Sequence, residues 1–391
     1  MKYISLFSGC GGLDIGFSKA GFSCAAAYEI DRYSLDVYRS NFNCPAYHHD
    51  LSTLEVSNMP SAIDVLIAGP PCQGFSTAGK RLENDPRNQL LLAAGKIAIK
   101  IRPKVIVVEN VAGVTAGGHR RYWDGLKGML AENGFRCAEL KCIGTRMGVP
   151  QTRTRMILIA WSGKKEVTLN FREKAGGVLG DVLHDLEGCQ NHEVKMIDPK
   201  SEIGLIARRI RPGQKLSNVR GGDRAIHTWD IPEVFGEATA FEKAVLEAIL
   251  RIRRQKRRRE NGDADPVPEE VLKLVFGAGI VTVLRRLVKK KFLRIKEGHY
   301  DLMHTFNGKF RRLSLNAPSL TVDTRFGDPR YFLHPDENRG FTVREAARIQ
   351  GFPDSFHFKG PENEQYKMIG NAVPPPLATL LAETIRDSFF S

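Results

Sequence analysis

The side chains best suited to covalent chemistry begin with one thiol. Cys72 lies in the run Gly69-Pro70-Pro71-Cys72-Gln73-Gly74-Phe75-Ser76, directly after the apolar stretch Asp64 to Ala68. Two prolines fix φ and donate no hydrogen bond, so the backbone carrying the thiol is extended and preset. That is the setting of a nucleophile on a rigid pedestal, followed by polar residues as far as Asn88 that can close over a substrate. A free cysteine is otherwise a small buried hydrophobe, but a core has no need of Pro-Pro-Cys-Gln-Gly at a strand end. Glu109 follows four apolar residues, Val105 to Val108. A carboxyl there is poorly solvated, so its pKa rises and it can carry a proton near neutrality; a structural glutamate capping a helix is the alternative. Arg153 and Arg155 alternate at the start of the apolar run Met156 to Trp161. Period two aims both guanidiniums the same way, as a ligand rich in carbonyl or phosphate oxygens requires; a surface ion pair is the plainer reading.

The elements that must position these groups read as an α/β fold. Lys2 to Leu6 is a strand, and Phe7-Ser8-Gly9-Cys10-Gly11-Gly12 a glycine-rich turn. A helix from about Leu13 to Ala20 follows, stopped by Gly21. Strand, turn and helix form the cofactor half of a Rossmann-like unit, although the spacing departs from GxGxxG. A second strand, Cys24 to Tyr28, delivers Glu29, Ile30 and Asp31, and Asp50 ends a third. An acid after the second strand can accept both hydroxyls of a ribose, whereas Asp31 suits a helix N-cap. Asp50 can accept from an adenine amine. No phosphate-binding lysine pattern is present, so a nucleoside without phosphates fits better than a dinucleotide. Leu90 to Ile101 has helical periodicity, and active sites of open α/β sheets lie at the carboxyl ends of such strands.

Composition narrows the partners. The 391 residues have room for two domains, and their formal net charge is +14. A chain this basic commonly meets a polyanion, nucleic acid first. No apolar run approaches a membrane span, and no signal-peptide pattern opens the sequence, so a cytoplasmic location is expected. The seven cysteines are scattered and odd in number. Neither a disulfide framework nor a metal site is therefore expected, and His48 and His49 read as loop residues.

These segments together resemble the cytosine-C5 DNA methyltransferases of bacterial restriction–modification systems. The resemblance is carried by FSGCGGLDIGF (7–17), YEID (28–31), GPPCQGFS (69–76), ENV (109–111) and QTRTR (151–155). It resumes with RRLSLNAPSLTVDTRFG (311–327), AARIQGFPDSF (346–356) and GNAVPPPLA (370–378), all in the family's order. It implies a Rossmann-like S-adenosyl-L-methionine-dependent methyltransferase domain with a smaller inserted target-recognition domain. Catalysis would fall to Cys72 adding to C6 of a flipped cytosine, Glu109 at N3, Arg155 at O2, and Arg153 near the same DNA strand. The cofactor would meet Phe7, Gly9, Gly11, Leu13, Glu29, Ile30, Asp50, Leu51, Pro70, Asn371 and Ala372. DNA would meet Gln73, Ser76 and Thr321. Thr152 and Thr154 depart from the charged residues of many relatives.

Family motifs vanish between about Asn191 and Asn307, where relatives carry target recognition. Helices are expected over Phe241 to Arg259, from Pro268-Glu269-Glu270, and over Ile280 to Lys291. A hairpin around Gly298 follows, giving the outline of a winged helix over about 240–303. Arg285, Arg286, Lys289 and Lys290 of its third helix would face a DNA groove, whereas the arginine run before it reads equally as a solvated face or linker. The expected division is a catalytic domain of 1–190 plus 367–391, a recognition domain of 191–335, and a hinge of 336–366. Between the two domains the chain would act as a monomer on double-stranded DNA, beside a restriction or defence nuclease reading the same site. The rivals are an RNA cytosine-C5 methyltransferase of the tRNA-modifying type and a DNA-binding regulator on a dead scaffold.

Overall fold

The computed structural model describes residues 1–53, 59–71, 88–163, 166–219, 221–255, 264–306 and 308–390. It divides into two compact units: unit 1 comprises Met1–Glu193, Leu315–Arg325 and Thr342–Ser391, and unit 2 comprises Val194–Ser314 and Phe326–Phe341.

Unit 1 is built on a seven-stranded sheet. Its strands are β1 (Lys2–Leu6), β2 (Ser23–Glu29), β3 (Ala46–His48), β4 (Val65–Ala68), β5 (Val105–Val111), β6 (Phe135–Ile143) and β7 (Thr154–Ser162), in the order β3-β2-β1-β4-β5-β7-β6. The first five run parallel, and β7 is antiparallel to both β5 and β6. Helices α1 (Gly12–Lys19), α2 (Arg32–Asn41), α3 (Gln89–Ile101) and α4 (Arg120–Glu132) connect them. Strand alternation sends Ile4, Leu66 and Ile106 to one face, against Leu91 and Ala98 of α3 and Trp123 and Leu126 of α4. Tyr3, Val65 and Val105 go to the other face, against Leu13 and Phe17. Each such buried aliphatic side chain contributes roughly 1.5–3 kcal/mol. Cys24 and Cys44 are joined as a disulfide, a single bridge that the expectation of no disulfide framework did not foresee. Adjacent strands β2 and β3 bring the two residues together across α2.

Unit 2 holds α5 (Glu202–Arg209), α6 (Pro232–Phe235), α7 (Ala240–Gln255), α8 (Glu269–Phe276) and α9 (Ile280–Lys289). Four short two-residue strands, β8 (Lys215–Leu216), β9 (Ala225–Ile226), β12 (Arg311–Arg312) and β13 (Phe332–Leu333), pair as β8-β9 and β12-β13, while β10 (Leu293–Lys296) and β11 (His299–Leu302) form an antiparallel hairpin. The arginine run beyond Gln255 lies outside the described residues.

The chain returns to unit 1 with α10 (Val343–Gln350), α11 (Glu362–Asn371) and α12 (Pro375–Phe389). Thr342 caps α10, accepting from the Glu345 N–H at 3.2 Å while Glu345 accepts from the Thr342 N–H at 2.8 Å; that reciprocal pair fixes where the helix begins. Leu377, Leu381 and Ile385 of α12 complete the core beside α1.

Candidate active site

The turn after β1 is strained where it matters. Phe7 has φ 53°, a left-handed conformation that an L side chain adopts only when its surroundings compel it. Gly11 has φ 98°, and a Cβ there would overlap the ring of Phe42, so only glycine fits. Gly9, at φ 55°, faces open space instead. Parallel pairing of Leu6 with Tyr28 sets Glu29 beside this turn. One carboxylate oxygen of Glu29 accepts from the Gly9 N–H at 2.8 Å, the other from Ile30 and Asp31 at 2.9 and 2.8 Å. Burial still raises its pKa, against the lowering effect of those three donors.

A cavity of about 590 Å³ opens here. Its walls bring together Phe7, Gly9, Leu13, Glu29, Ile30, Asp50, Leu51, Pro70, Asn371 and Ala372, with Glu109 and Arg155 in the same lining. Gly11 stands behind it, against Phe42.

Glu109 and Arg155 meet because β5 and β7 pair antiparallel, Val111 opposite Arg155 and Glu109 opposite Ile157. They are diagonal neighbours on one face. Arg155 Nε lies 2.6 Å from Glu109 Oε1, with both side chains at most 10 % exposed. The approach is close but off the line of a good N–H bond, for that oxygen has no hydrogen-bond partner by geometry. Burial raises the Glu109 carboxyl above its ordinary range, although Arg155 and then Arg153 oppose the rise. Next to it, Asn110 Nδ2 donates to the Pro70 carbonyl at 3.3 Å, bracing the exit from β4. Cys72, Gln73 and Ser76 lie outside the described residues.

The expected place of Arg153 beside DNA is corrected. It is 2 % exposed, and its guanidinium donates to the carbonyls of Val322 at 2.9 Å, Gly370 at 2.8 Å and Ala372 at 2.9 Å. A rigid fork of donors suits that task, and Arg153 therefore positions the wall instead of touching a substrate. Gln151 works alongside it, donating to Gln350 at 2.6 Å, while Gln350 donates to Ala372 at 2.7 Å. Thr321 is partly exposed next to Val322, whose N–H reaches Gln151 at 3.2 Å.

In unit 2, Arg286, which is exposed, and the half-buried Lys290 share one partner. Both are paired with the wholly buried Glu242 of α7. Arg285 and Lys289 are exposed.

Some residues of the cavity carry little signal in sequence. Lys367 lines it, 3.2 Å from Asp31 and 2.9 Å from Glu364; its place near Gly370-Asn371 was the available clue. Asp14 is buried below the turn, accepting from Ser5 at 3.0 Å and Tyr38 at 2.9 Å, and burial pushes its pKa up to about 6. Nothing in one sequence separates Asp14 from a surface acid in the first turn of a helix.

The comparisons with known proteins agree with this geometry. The chain is 28 % identical to the type II methyltransferase M.HgiBI of Herpetosiphon aurantiacus, covering 98 % of this chain and 96 % of that protein. It is 30 % identical to the type II methyltransferase M1.HphI of Haemophilus parahaemolyticus, over 98 % of this chain and 86 % of the relative. Among solved structures, the Dnmt2 methyltransferase of S. pombe shares the fold with a TM-score of 0.55 at 18 % identity, covering 99 % of each chain. The family described as C-5 cytosine-specific DNA methylase matches residues 1–387, and the chain belongs to that family.

Proposed function

We infer that the chain methylates C5 of cytosine in double-stranded DNA with S-adenosyl-L-methionine as the donor. The observation that carries this reading is the buried Glu109–Arg155 pair in the wall of the cavity that Glu29 and the glycine turn also line. The residues fit such a donor: Glu29 Oε2, which accepts from the Gly9 N–H, keeps a lone pair for a ribose hydroxyl, and Gly9 leaves open space for close approach. Phe7 and Ile30 offer apolar surface to an adenine, with Asp50 available to its amine.

When bound, that donor supplies a methyl group on a positively charged sulfur. The chain's own residues must make cytosine able to accept it. Addition of the Cys72 thiolate to C6 forms a C–S bond and drives electron density toward C5 and N3. Glu109, whose carboxyl burial shifts toward the protonated form, gives its proton to N3, and Arg155 donates to O2. C5 then takes the methyl group, a base removes the C5 proton, the C–S bond breaks and the thiolate leaves as N3 returns its proton to Glu109. The target base must leave the duplex stack to expose C6, with Thr321 beside its vacated backbone. On this reading the chain works as a monomer in the cytoplasm beside a nuclease that reads the same site, a setting in keeping with the type II names of its relatives.

The test is covalent trapping on duplex DNA carrying 5-fluorocytosine at the target. With the donor present, the parent chain should form a stable adduct at Cys72, because fluorine cannot leave as the proton does. Cys72→Ser should form none while retaining DNA binding. Absence of any adduct with the parent sinks the reading.

A further inference from the structure

The positive charge of this chain is concentrated in one part of unit 2. Residues 240–303 carry 16 Lys and Arg against 9 Asp and Glu. Here α7, α8, α9 and the β10–β11 hairpin close on a core that includes Leu246, Ile249, Leu272, Leu284 and Leu287. The rest of unit 2 has a core of its own around Ile206, Leu216, Ile231 and Leu333. Three residues, Gly277-Ala278-Gly279, join α8 to α9, with Gly277 at φ 83°. Two short helices on a glycine turn of this length form a helix-turn-helix, whose second helix is the one offered to a nucleic-acid groove.

Helix α9 divides its basic residues into two sets. Arg286 Nε is 2.7 Å from one oxygen of Glu242, and Lys290 Nζ is 2.8 Å from the other. Burial alone would raise the Glu242 carboxyl, but Lys290, the Thr239 N–H and Arg286 together bring it down to about 2. These two cations are a brace between α9 and the first turn of α7. Thr282, Arg285 and Lys289 instead form a stripe at i, i+3 and i+7, opposite the buried Ile280, Leu284 and Leu287. That stripe is about 10 Å long, comparable with the roughly 12 Å width of a major groove. Arg285 stands in the field of Glu269, but that carboxylate is already held by Lys273 at 2.6 Å and the Tyr300 hydroxyl at 3.2 Å. Among the described residues no ion pair engages Arg285, Lys289, Lys291 or Lys296, and all four are exposed.

We propose that this helix-turn-helix with its hairpin is a docking site for the phosphates of duplex DNA. Arg285 and Lys289, assisted by Lys291 and Lys296, make the contacts, and Arg286 with Lys290 holds the helix that presents them. This rests on the reading of duplex DNA as the substrate and assigns which charges meet it.

The test is a fluorescence-anisotropy titration of the full chain with a labelled duplex over a series of KCl concentrations. Removing two phosphate contacts lowers the slope of log K against log salt by about 1.8. Arg285→Ala with Lys289→Ala should show that fall with an unchanged melting temperature, and the charge-keeping pair Arg285→Lys with Lys289→Arg should restore the parent slope. Arg286→Ala with Lys290→Ala should lower the melting temperature instead, because Glu242 is left buried without its cations. A parent-like slope for the alanine pair overturns the proposal. So does tighter binding of a transfer RNA than of the duplex, with the same dependence on Arg285 and Lys289. Methyl transfer is not read in this titration, so an inactive but duplex-binding chain would reject the proposed reaction and leave the docking site standing.

Discussion

The acid role proposed for Glu109 carries a pH signature. Burial raises its carboxyl above the ordinary 4.5 in spite of Arg155. The proton needed at N3 is therefore present below the raised folded value and lost above it, so the methyl-transfer rate should fall as pH rises through that value. Stability follows the same sign: what the protonated group contributes is complete below 4.5 and is lost as pH rises through the folded pKa. Glu109→Gln keeps the size and an N–H donor but has no proton to release. Its kcat should fall roughly 100-fold or more, and the alkaline limb due to Glu109 should disappear from the single-turnover profile. A variant that keeps that limb would remove Glu109 from the role. At this scale much was legible, since four apolar residues before Glu109 announce its poor solvation. The task of Arg153 was not, because alternation gives the direction of a side chain but cannot say whether DNA or three backbone carbonyls await it.

The elements that hold the cavity are locked by close backbone approach. Helix α1 carries the glycine turn into the core, and a Cβ on Gly16 would overlap the backbone of Ala378 and Thr379 in α12. Gly16→Ala must push the two helices apart, and overpacking of this kind costs about 1–3 kcal/mol. Urea unfolding should report that loss, and the affinity for S-adenosylhomocysteine should weaken with it, since α1 carries Leu13 of the cavity. Unchanged values on both measurements would show that the helices yield freely. Strands β1, β2, β4 and β5 could be read from their apolar runs, because a parallel strand covered on both faces has no polar alternation to confuse it. Strand β6 was missed for the opposite reason. It lies at the sheet edge, and Arg136, Glu139 and Lys141 interrupt its apolar pattern. Helix α4, whose apolar residues are spaced among Arg120, Arg121, Asp124 and Lys127, went unread with it.

For the molecule as a whole, the order of parts along the chain differs from their order in the fold. Sequence motifs announced a discontinuous unit 1, because they stop before Asn191 and resume near its far side. The points of return were set by contacts that motifs do not encode: Leu315–Arg325 belongs to unit 1, and Thr342 starts the final return. Segment 315–325 is held there by the pairing of Ser319 with Gln151 and by the bond from Arg153 to Val322, which no local pattern reveals. The expected hinge of 336–366 is divided in the structure, with Asp336–Phe341 in unit 2 and Thr342 onward in unit 1.

The cavity wall formed by Met368, Asn371, Ala372 and Val373 has a consequence for synthesis. Ribosomes deliver roughly 5–20 residues per second, so the central strands emerge well before the segment that completes this cavity. A nascent chain stalled ahead of Met368 should capture no labelled S-adenosylhomocysteine, whereas one extended past α12 by a linker long enough to clear the exit tunnel should. Capture by the shorter chain would show that the late segment is dispensable. If the cavity holds the donor as proposed, a chain interrupted ahead of Met368 is inert toward DNA, and the activity arrives only with the last helices.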